Sequence, residues 1–135
     1  MTIAAWRAAL VTAVSSTGIA TLTYPTPNPI PGPNGVALIL PRVGTYLLSA
    51  AQDATYEFTV RILAGKVSEV GAQTLLDAYL DASGSQSIPA AIANDRSLSG
   101  TAYGAQALRF ENYGGFVYGE ATYLGAEIPV QFYAL

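Results

Sequence analysis

The sequence predicts an α+β domain in which helices pack on one face of a mostly antiparallel sheet. Three observations lead to this prediction: a helical apolar pattern near the N-terminus, several segments in which apolar and polar residues alternate, and two helical segments grouped between those strands. Strands and helices that occur in groups, without regular alternation, are typical of this class. The 135 residues are expected to form a single domain over 1–135.

The first element is predicted to be a helix over residues 1–17. Its apolar residues follow the i, i+3, i+4, i+7 spacing of one helix face; they are Ile3, Trp6, Leu10, Val11 and Val14. The polar segment 15–18 is expected to end the helix. A secretory signal peptide is the weaker interpretation, because no basic residue precedes Arg7 and large apolar side chains stand where a basic region would be.

Residues 18–35 are predicted to form a long proline-rich loop. Every second position from 25 to 33 is a proline, and each proline fixes φ and lacks a backbone N–H. These residues are Pro25, Pro27, Pro29, Pro31 and Pro33. Such a segment favours an extended polyproline conformation. It is interpreted as a stiff connector or as an arm that docks on a neighbouring subunit, and a ligand for a signalling domain is the weakest interpretation. The arm makes these prolines, together with Trp6, candidate subunit contacts.

The α+β core is predicted to span residues 36–135 and to begin with strands. Residues 36–40 are apolar and lie between an Asn-Gly turn signal and Pro41, which indicates a short buried strand. Residues 46–49 are a candidate second strand. From 56 to 62 apolar residues alternate with polar ones, which is the period of a strand with one buried face. Gly65 is expected to end this strand.

Two helices are predicted next. Over residues 68–82 several apolar residues share one helix face, Ser68 is the expected N-cap, and the segment 83–85 is the expected end. The shared face consists of Val70, Leu75, Leu76, Tyr79 and Leu80. Ser87 is expected to cap a second, short helix that ends at 94–96. Pro89 lies early in that helix, where a missing N–H is tolerated.

The remaining residues are predicted to form three strands, at about 101–112, 116–124 and 127–134. Gly114 and Gly115 are expected to form the hairpin turn between the first two. Pro129 predicts an edge position or a bulge for the last strand, because proline cannot donate a hydrogen bond to a neighbouring strand.

The composition excludes several classes of chemistry. The chain has no Cys and no His, which excludes disulfides, thiolate nucleophiles, Cys or His metal sites and Ser-His-Asp catalysis. A net charge of −3 and an isoelectric point near 4.6 argue against sequence-independent nucleic-acid binding, which needs a basic surface. No stretch reaches the roughly 18 apolar residues that a membrane-spanning helix requires.

The sequence is poor in charge, and this predicts association with other chains. Charged residues make up 11% of the sequence, against about 25% in an ordinary soluble domain. Residues 1–52 contain only Arg7 and Arg42, whereas residues 53–135 contain four basic and nine acidic residues. A surface this poor in charge is a solubility risk for a free monomer. The first 52 residues are therefore expected to lie against other chains, although chance would also explain the uneven distribution.

The side-chain patterns give weak support for a catalytic site. Asp77 and Asp81 lie four residues apart on the predicted helix, opposite its leucines, and no third ligand is near them in sequence. This favours a solvated helix face over acid–base or metal chemistry. The C-terminal third is rich in aromatic residues but offers only Arg109 as an interleaved cation, which favours core and subunit packing over base stacking.

Several segments between residues 55 and 135 follow one another in a recognisable order. They are 60–65, 72–80, 85–92, 95–100 and 119–132. The last of them carries the motif Tyr123-Leu124-Gly125-Ala126-Glu127. In this order the segments resemble the tail terminator family of long-tailed bacteriophages and, more broadly, neck and tail-completion proteins. The N-terminal helix is consistent with this resemblance.

The resemblance implies a structural protein with no catalytic residues and no cofactor. Tail terminators form a hexameric ring on the head-proximal end of the tail tube, stop tube growth and join the tail to the neck. The implied partners are copies of this chain, the tail tube protein and a neck or connector protein, with DNA only in transit through the lumen and no membrane. The implied location is the virion, after assembly in the host cytoplasm.

Carboxylates that face such a lumen would keep DNA from adhering to it. The candidate lumen residues are Asp77, Asp81, Glu120 and Glu127. Two other classes of function stay open. The nearer is another ring of the same machine, such as a head–tail stopper, an adaptor or the tail tube protein, and the remote one is a small enzyme with a carboxylate site.

Overall fold

The computed structural model describes residues 3–24, 34–46, 54–94 and 104–133. These ranges contain three helices and six strands, and all the strands belong to one sheet. In chain order the elements are α1 (Ile3–Ser15), β1 (Ala20–Leu22), β2 (Val36–Tyr46), β3 (Ala54–Lys66), α2 (Ala72–Leu80), α3 (Ile88–Asn94), β4 (Gly104–Ala107), β5 (Glu111–Tyr118) and β6 (Ala121–Tyr133). The predicted α+β class with a mostly antiparallel sheet is confirmed.

β6 is the strand around which the sheet is arranged. The strand order is β1–β2–β3–β6–β4, and β5 pairs with β6 on the same edge as β4. β3 occupies the other edge of β6 along most of its length. Only β1 pairs in parallel, with β2. β1 lies inside the segment 18–35 that was expected to be a loop, and the five prolines of that segment lie outside the described residues.

Strand alternation creates the main core, because successive side chains of a strand point to opposite faces of the sheet. One face of β3 and β6 is fully covered by the three helices and carries Phe58, Val60, Ile62, Ile128, Val130 and Phe132. From α1, Trp6 packs with its ring centroid 4.7 Å from that of Tyr56. Trp6 is only 1% exposed, so within the single chain its side chain fills the core. Its contact with a neighbouring subunit stays a prediction.

The predicted limits of α2 need correction, whereas those of α3 agree with the structure. α2 begins at Ala72 and not at 68, its N-cap is Gly71 without a side-chain hydrogen bond, and it ends at Leu80. Val70 is therefore not part of the buried helix face and is 98% exposed. The predicted cap of α3 is confirmed, because the Oγ of Ser87 accepts the N–H of Ala90 at 3.0 Å.

Three strands run through residues that were expected to end them. β2 passes Pro41 with a register shift against β3, and β3 passes Gly65 with a register shift against β6. Gly114 and Gly115 lie inside β5 and do not form the hairpin turn. The turn is at Gly119 and Glu120, where Gly119 has a φ of 62°. That backbone region is open to glycine at little cost.

The prediction that Pro129 marks an edge or a bulge is wrong, because Pro129 pairs in regular register with Thr59 inside the sheet. Its carbonyl accepts the N–H of Leu108, so its backbone polar groups face the edge shared by β4 and β5. β4 ends opposite Val130 and β5 begins opposite Glu127. The missing N–H of the proline therefore falls in the gap between two strands, where regular pairing is interrupted.

Tyr79 links α2 to the start of β2, and its replacement by Phe tests the link. The buried phenol donates a hydrogen bond to the carbonyl of Asn34 at 2.6 Å. We expect Tyr79→Phe to lower the free energy of unfolding at pH 7 by about 1 kcal/mol, as urea denaturation would measure.

Burial also raises the pKa of Tyr79, so the folded state holds this proton more tightly than the unfolded state. The stabilisation is then complete below the unfolded pKa of about 10 and is lost as the pH rises above it. The decline of stability in alkali should be smaller in Tyr79→Phe than in the wild type. An equal decline in both proteins would contradict this role.

Gly125 of β6 permits close strand contact, and an added methyl group would disrupt it. A Cβ at Gly125 would collide with the carbonyl oxygen of Ile62 and would lie 2.9 Å from the Cδ2 of Leu63. We expect Gly125→Ala to destabilise the fold by about 1–3 kcal/mol or more. The matched control is Gly114→Ala on β5, directly opposite Gly125, where a Cβ meets nothing within 4 Å. Its expected effect is about 0.5 kcal/mol or less, and similar melting temperatures for both variants would refute the packing argument.

Candidate functional site

Two cavities among the described residues lack the groups that catalysis needs. A groove of about 360 Å³ between α3 and β4 is lined by Ala82, Pro89, Ala90, Ala93, Ala105, Gln106 and Ala107. A second cavity of about 140 Å³ beside the β2 register shift contains Arg42 and Glu57, which bind each other at 2.8 Å. Within the described ranges there is also no cluster of three acidic residues that could hold a metal ion. The larger clusters of polar and of exposed apolar side chains lie on the faces of the sheet.

The sheet face opposite the helices carries a polar cluster centred on Arg61. Its Nη2 donates to the Oε2 of Glu127 at 3.0 Å, and its Nη1 donates to the hydroxyl of Tyr118 at 2.8 Å. The guanidinium also lies 4.9 Å from the ring centroid of Phe116, within range of a cation–π contact. Asn112 completes the cluster by donating its Nδ2 to the other oxygen of Glu127 at 2.7 Å.

This cluster neutralises the carboxylate of Glu127. Burial alone would lower the pKa of Arg61, but its hydrogen bonds to Tyr118 and Glu127 raise that pKa above its ordinary value. The cation is thus held permanently against the carboxylate. Because Arg61 balances the charge of Glu127, this residue is the weakest of the four candidates for a carboxylate that repels DNA in a lumen.

The other candidate lumen residues are exposed but do not converge with Glu127. Asp77 and Asp81 lie on α2 and at its C-cap, on the helix side of the sheet, and Glu120 lies in the turn between β5 and β6. Asp77 accepts a hydrogen bond from the hydroxyl of Tyr113 at 2.8 Å. Burial of that hydroxyl, together with this bond, raises the pKa of Tyr113. The phenol is therefore the proton donor in this contact at neutral pH.

Sequence reasoning expected the aromatic residues of this region in core and subunit packing, but it missed that some of them form an exposed apolar surface on the helix side of β5. Val117 is 71% exposed, Phe110 is 53% exposed and Tyr113 is 39% exposed. The rings of Phe110 and Tyr113 lie 6.4 Å apart, and Val117 is on the same face of β5 as Tyr113. We call these three residues the β5 surface. The error arose from Gly114 and Gly115, since a turn there divides the strand and hides the alternation that continues to Tyr118.

β5 is also an open edge. Within the described ranges its backbone pairs only with β6. Edge strands are commonly protected by charged side chains or proline, because their free N–H and C=O groups can pair with another chain. Residues 112–118 contain neither a charge nor a proline. The β5 surface and the β5 edge together form the strongest candidate for contact with another protein.

No model of a known protein family matches the chain, and no curated protein matches it. The resemblance to tail terminators thus has no support from a matching family or relative. Among the described residues, no helix combines the length and apolar character needed to cross a membrane.

The Arg61 cluster should stabilise the protein more than the exposed ion pair of the same sheet does. Glu127→Gln removes the counter-charge of a half-buried guanidinium, with an expected loss of about 1–3 kcal/mol in the free energy of unfolding. The control is Glu57→Gln, which breaks the pair with the exposed Arg42 and should cost less than about 1 kcal/mol. Urea denaturation of both variants would measure this, and equal losses would show that the cluster has no special strength.

Proposed function

We propose that this chain is a structural subunit of a bacteriophage virion, the tail terminator, which assembles with copies of itself into a ring on the tail tube. The observation that carries the proposal is the uncharged, unpaired edge of β5 beside the exposed Phe110, Tyr113 and Val117. A soluble chain rarely leaves such an edge open, because it invites pairing with other chains. In an assembly, contact with neighbouring subunits would cover this edge.

The resemblance over residues 55–135 supports the choice of terminator among assembling proteins. A hexameric ring would give every subunit two different contact surfaces, one for each neighbour. The low charge of the chain, 11% of its residues, is compatible with covering that much surface. The further partners would be the tail tube protein and a neck or connector protein, and DNA would only pass through the lumen.

Asp77, Asp81 and Glu120 remain the proposed acidic residues of that lumen, without Glu127. All three are exposed, and their charge would discourage DNA from adhering to the ring. The contact between Tyr113 and Asp77 connects one of these acidic residues to the β5 surface. The proline-rich residues 25–33 remain proposed contacts to a neighbouring subunit.

Electron microscopy of lysates from a phage that lacks this gene tests the proposal. We expect overlong tails and filled heads that remain unjoined, because nothing would stop tube growth or present the tail to the neck. Complementation with the wild-type gene should restore tails of uniform length. Tails of normal length that fail to join heads would indicate a stopper or adaptor instead, and a complete absence of tails would indicate the tube protein.

A further inference from the structure

The backbone of β5 presents free hydrogen-bonding groups at defined positions. The carbonyl of Thr122 accepts the N–H of Val67 at 3.1 Å, so the polar groups of Thr122 face β3. Val117 is the register partner of Thr122 and is therefore not bonded to β6. Because bonding direction alternates along a strand, the N–H and C=O groups of Gly115 and Val117 point away from the sheet.

The side chains at these positions lie on the helix side of the sheet. Tyr113 and Val117 are exposed there, and Gly115 between them has no side chain. Phe116 and Tyr118 lie on the opposite face, where they pack against Leu63 and Tyr123. A strand that pairs with this edge must match both the outward bonding groups and the two faces.

We propose that two copies of this chain, before they assemble, pair through their β5 edges as antiparallel strands with Gly115 opposite Gly115 of the second copy. This register joins outward-facing groups to outward-facing groups, and it keeps the side chains of both copies on the same two faces. Val117 of each copy lies opposite Tyr113 of the other. An aromatic residue and a β-branched residue in such a position form a favourable cross-strand pair.

The other face of the strand fits the same register. Phe116 of one copy lies opposite Gly114 of the other, and the space where a Cβ would stand at Gly114 is open. The ring of Phe116 packs within its own sheet, where the Arg61 guanidinium lies 4.9 Å from the ring centroid, so it does not obstruct a paired strand at Gly114. The contact between Tyr113 and Val117 on the helix side is therefore the apolar contact that the pairing provides.

The charges around β5 favour a second copy as the occupant. Residues 112–118 carry no charge, so self-pairing places no like charges opposite each other there. Arg109 precedes β5 and Glu120 follows it, so antiparallel pairing places these opposite charges at the same end of the pair, one from each copy. Arg109 is exposed and already binds Glu111 at 3.1 Å, so it can bridge carboxylates of both copies.

This dimer differs from the proposed ring. It is two-fold symmetric, with the same surface used by both copies, whereas a closed ring of six uses two different surfaces. The dimer is therefore a state of the free chain that covers the β5 edge until a better partner displaces the second copy. The inference rests on β5 itself and does not require the function proposed above.

Disulfide cross-linking tests the pairing directly. Because the chain has no cysteine, each introduced cysteine is the only thiol in its copy. Tyr113→Cys and Val117→Cys are prepared as two separate full-length proteins and oxidised alone or mixed. We expect a disulfide-linked dimer only in the mixture, because positions 113 and 117 lie opposite each other within the distance that a disulfide spans. In an unmixed sample both copies carry the cysteine at the same position. The two cysteines are then four residues apart in the paired register, about 14 Å along the strand, which is too far for a disulfide. Equal cross-linking in the unmixed samples, or none in the mixture, would overturn the proposal.

A second experiment uses light scattering to measure the mass in solution of the wild type and of variants with an added charge. The wild type should have twice the 14.0 kDa mass of one chain, and Val117→Lys should have the mass of one chain while keeping the circular dichroism spectrum of the wild type. The control is Val70→Lys, which places the same charge at a 98% exposed position away from the edge and should stay dimeric. A dimeric Val117→Lys, or a monomeric wild type, would refute the pairing. Tail lengths in the gene-deletion lysates would test the terminator function separately.

Discussion

The pairing of β3 with β6 is the constraint on which the rest of the structure depends. The two strands pair from Thr55 opposite Tyr133 to Lys66 opposite Tyr123, with one register shift between Leu63 and Gly65. Their shared buried face belongs to the core that contains residues of all three helices. Their opposite face carries the Arg61–Glu127 pair. Because β6 also carries β4 and β5 on its other edge, both the core and the open edge depend on the position of this one strand.

The features that the sequence predicted correctly are those that depend on side-chain periodicity. The fold class, the buried face of α1, the alternation over 56–62 and the Ser87 cap follow from local patterns, and the structure contains all of them. The errors came from residues whose effect depends on tertiary context. Pro129 can lie inside the sheet only because two strands end beside it, and the Gly114–Gly115 pair lies in a strand because β6 holds it there.

The candidate site was less predictable for the same reason. The acidic residues at 77, 81, 120 and 127 are alike in sequence, but only Glu127 faces an arginine that lies 66 positions earlier in the chain. Exposure of Val117 also cannot be read from local pattern, since an alternating apolar residue normally marks a buried face. The open edge follows from strand order, which is a global property of the fold.

The long separation between β3 and β6 has a consequence for how the protein is made. β3 is complete at Lys66, but its partner begins only at Ala121, so a growing chain exposes the apolar row of β3 until the ribosome has added more than fifty further residues. The helices in between cannot complete the core without that partner. The β2–β3 pairing can form early, but the β3–β6 pairing must wait for late synthesis, and contacts this distant in sequence form slowly. During that interval the exposed apolar row of β3 is the part of the nascent chain most prone to aggregation.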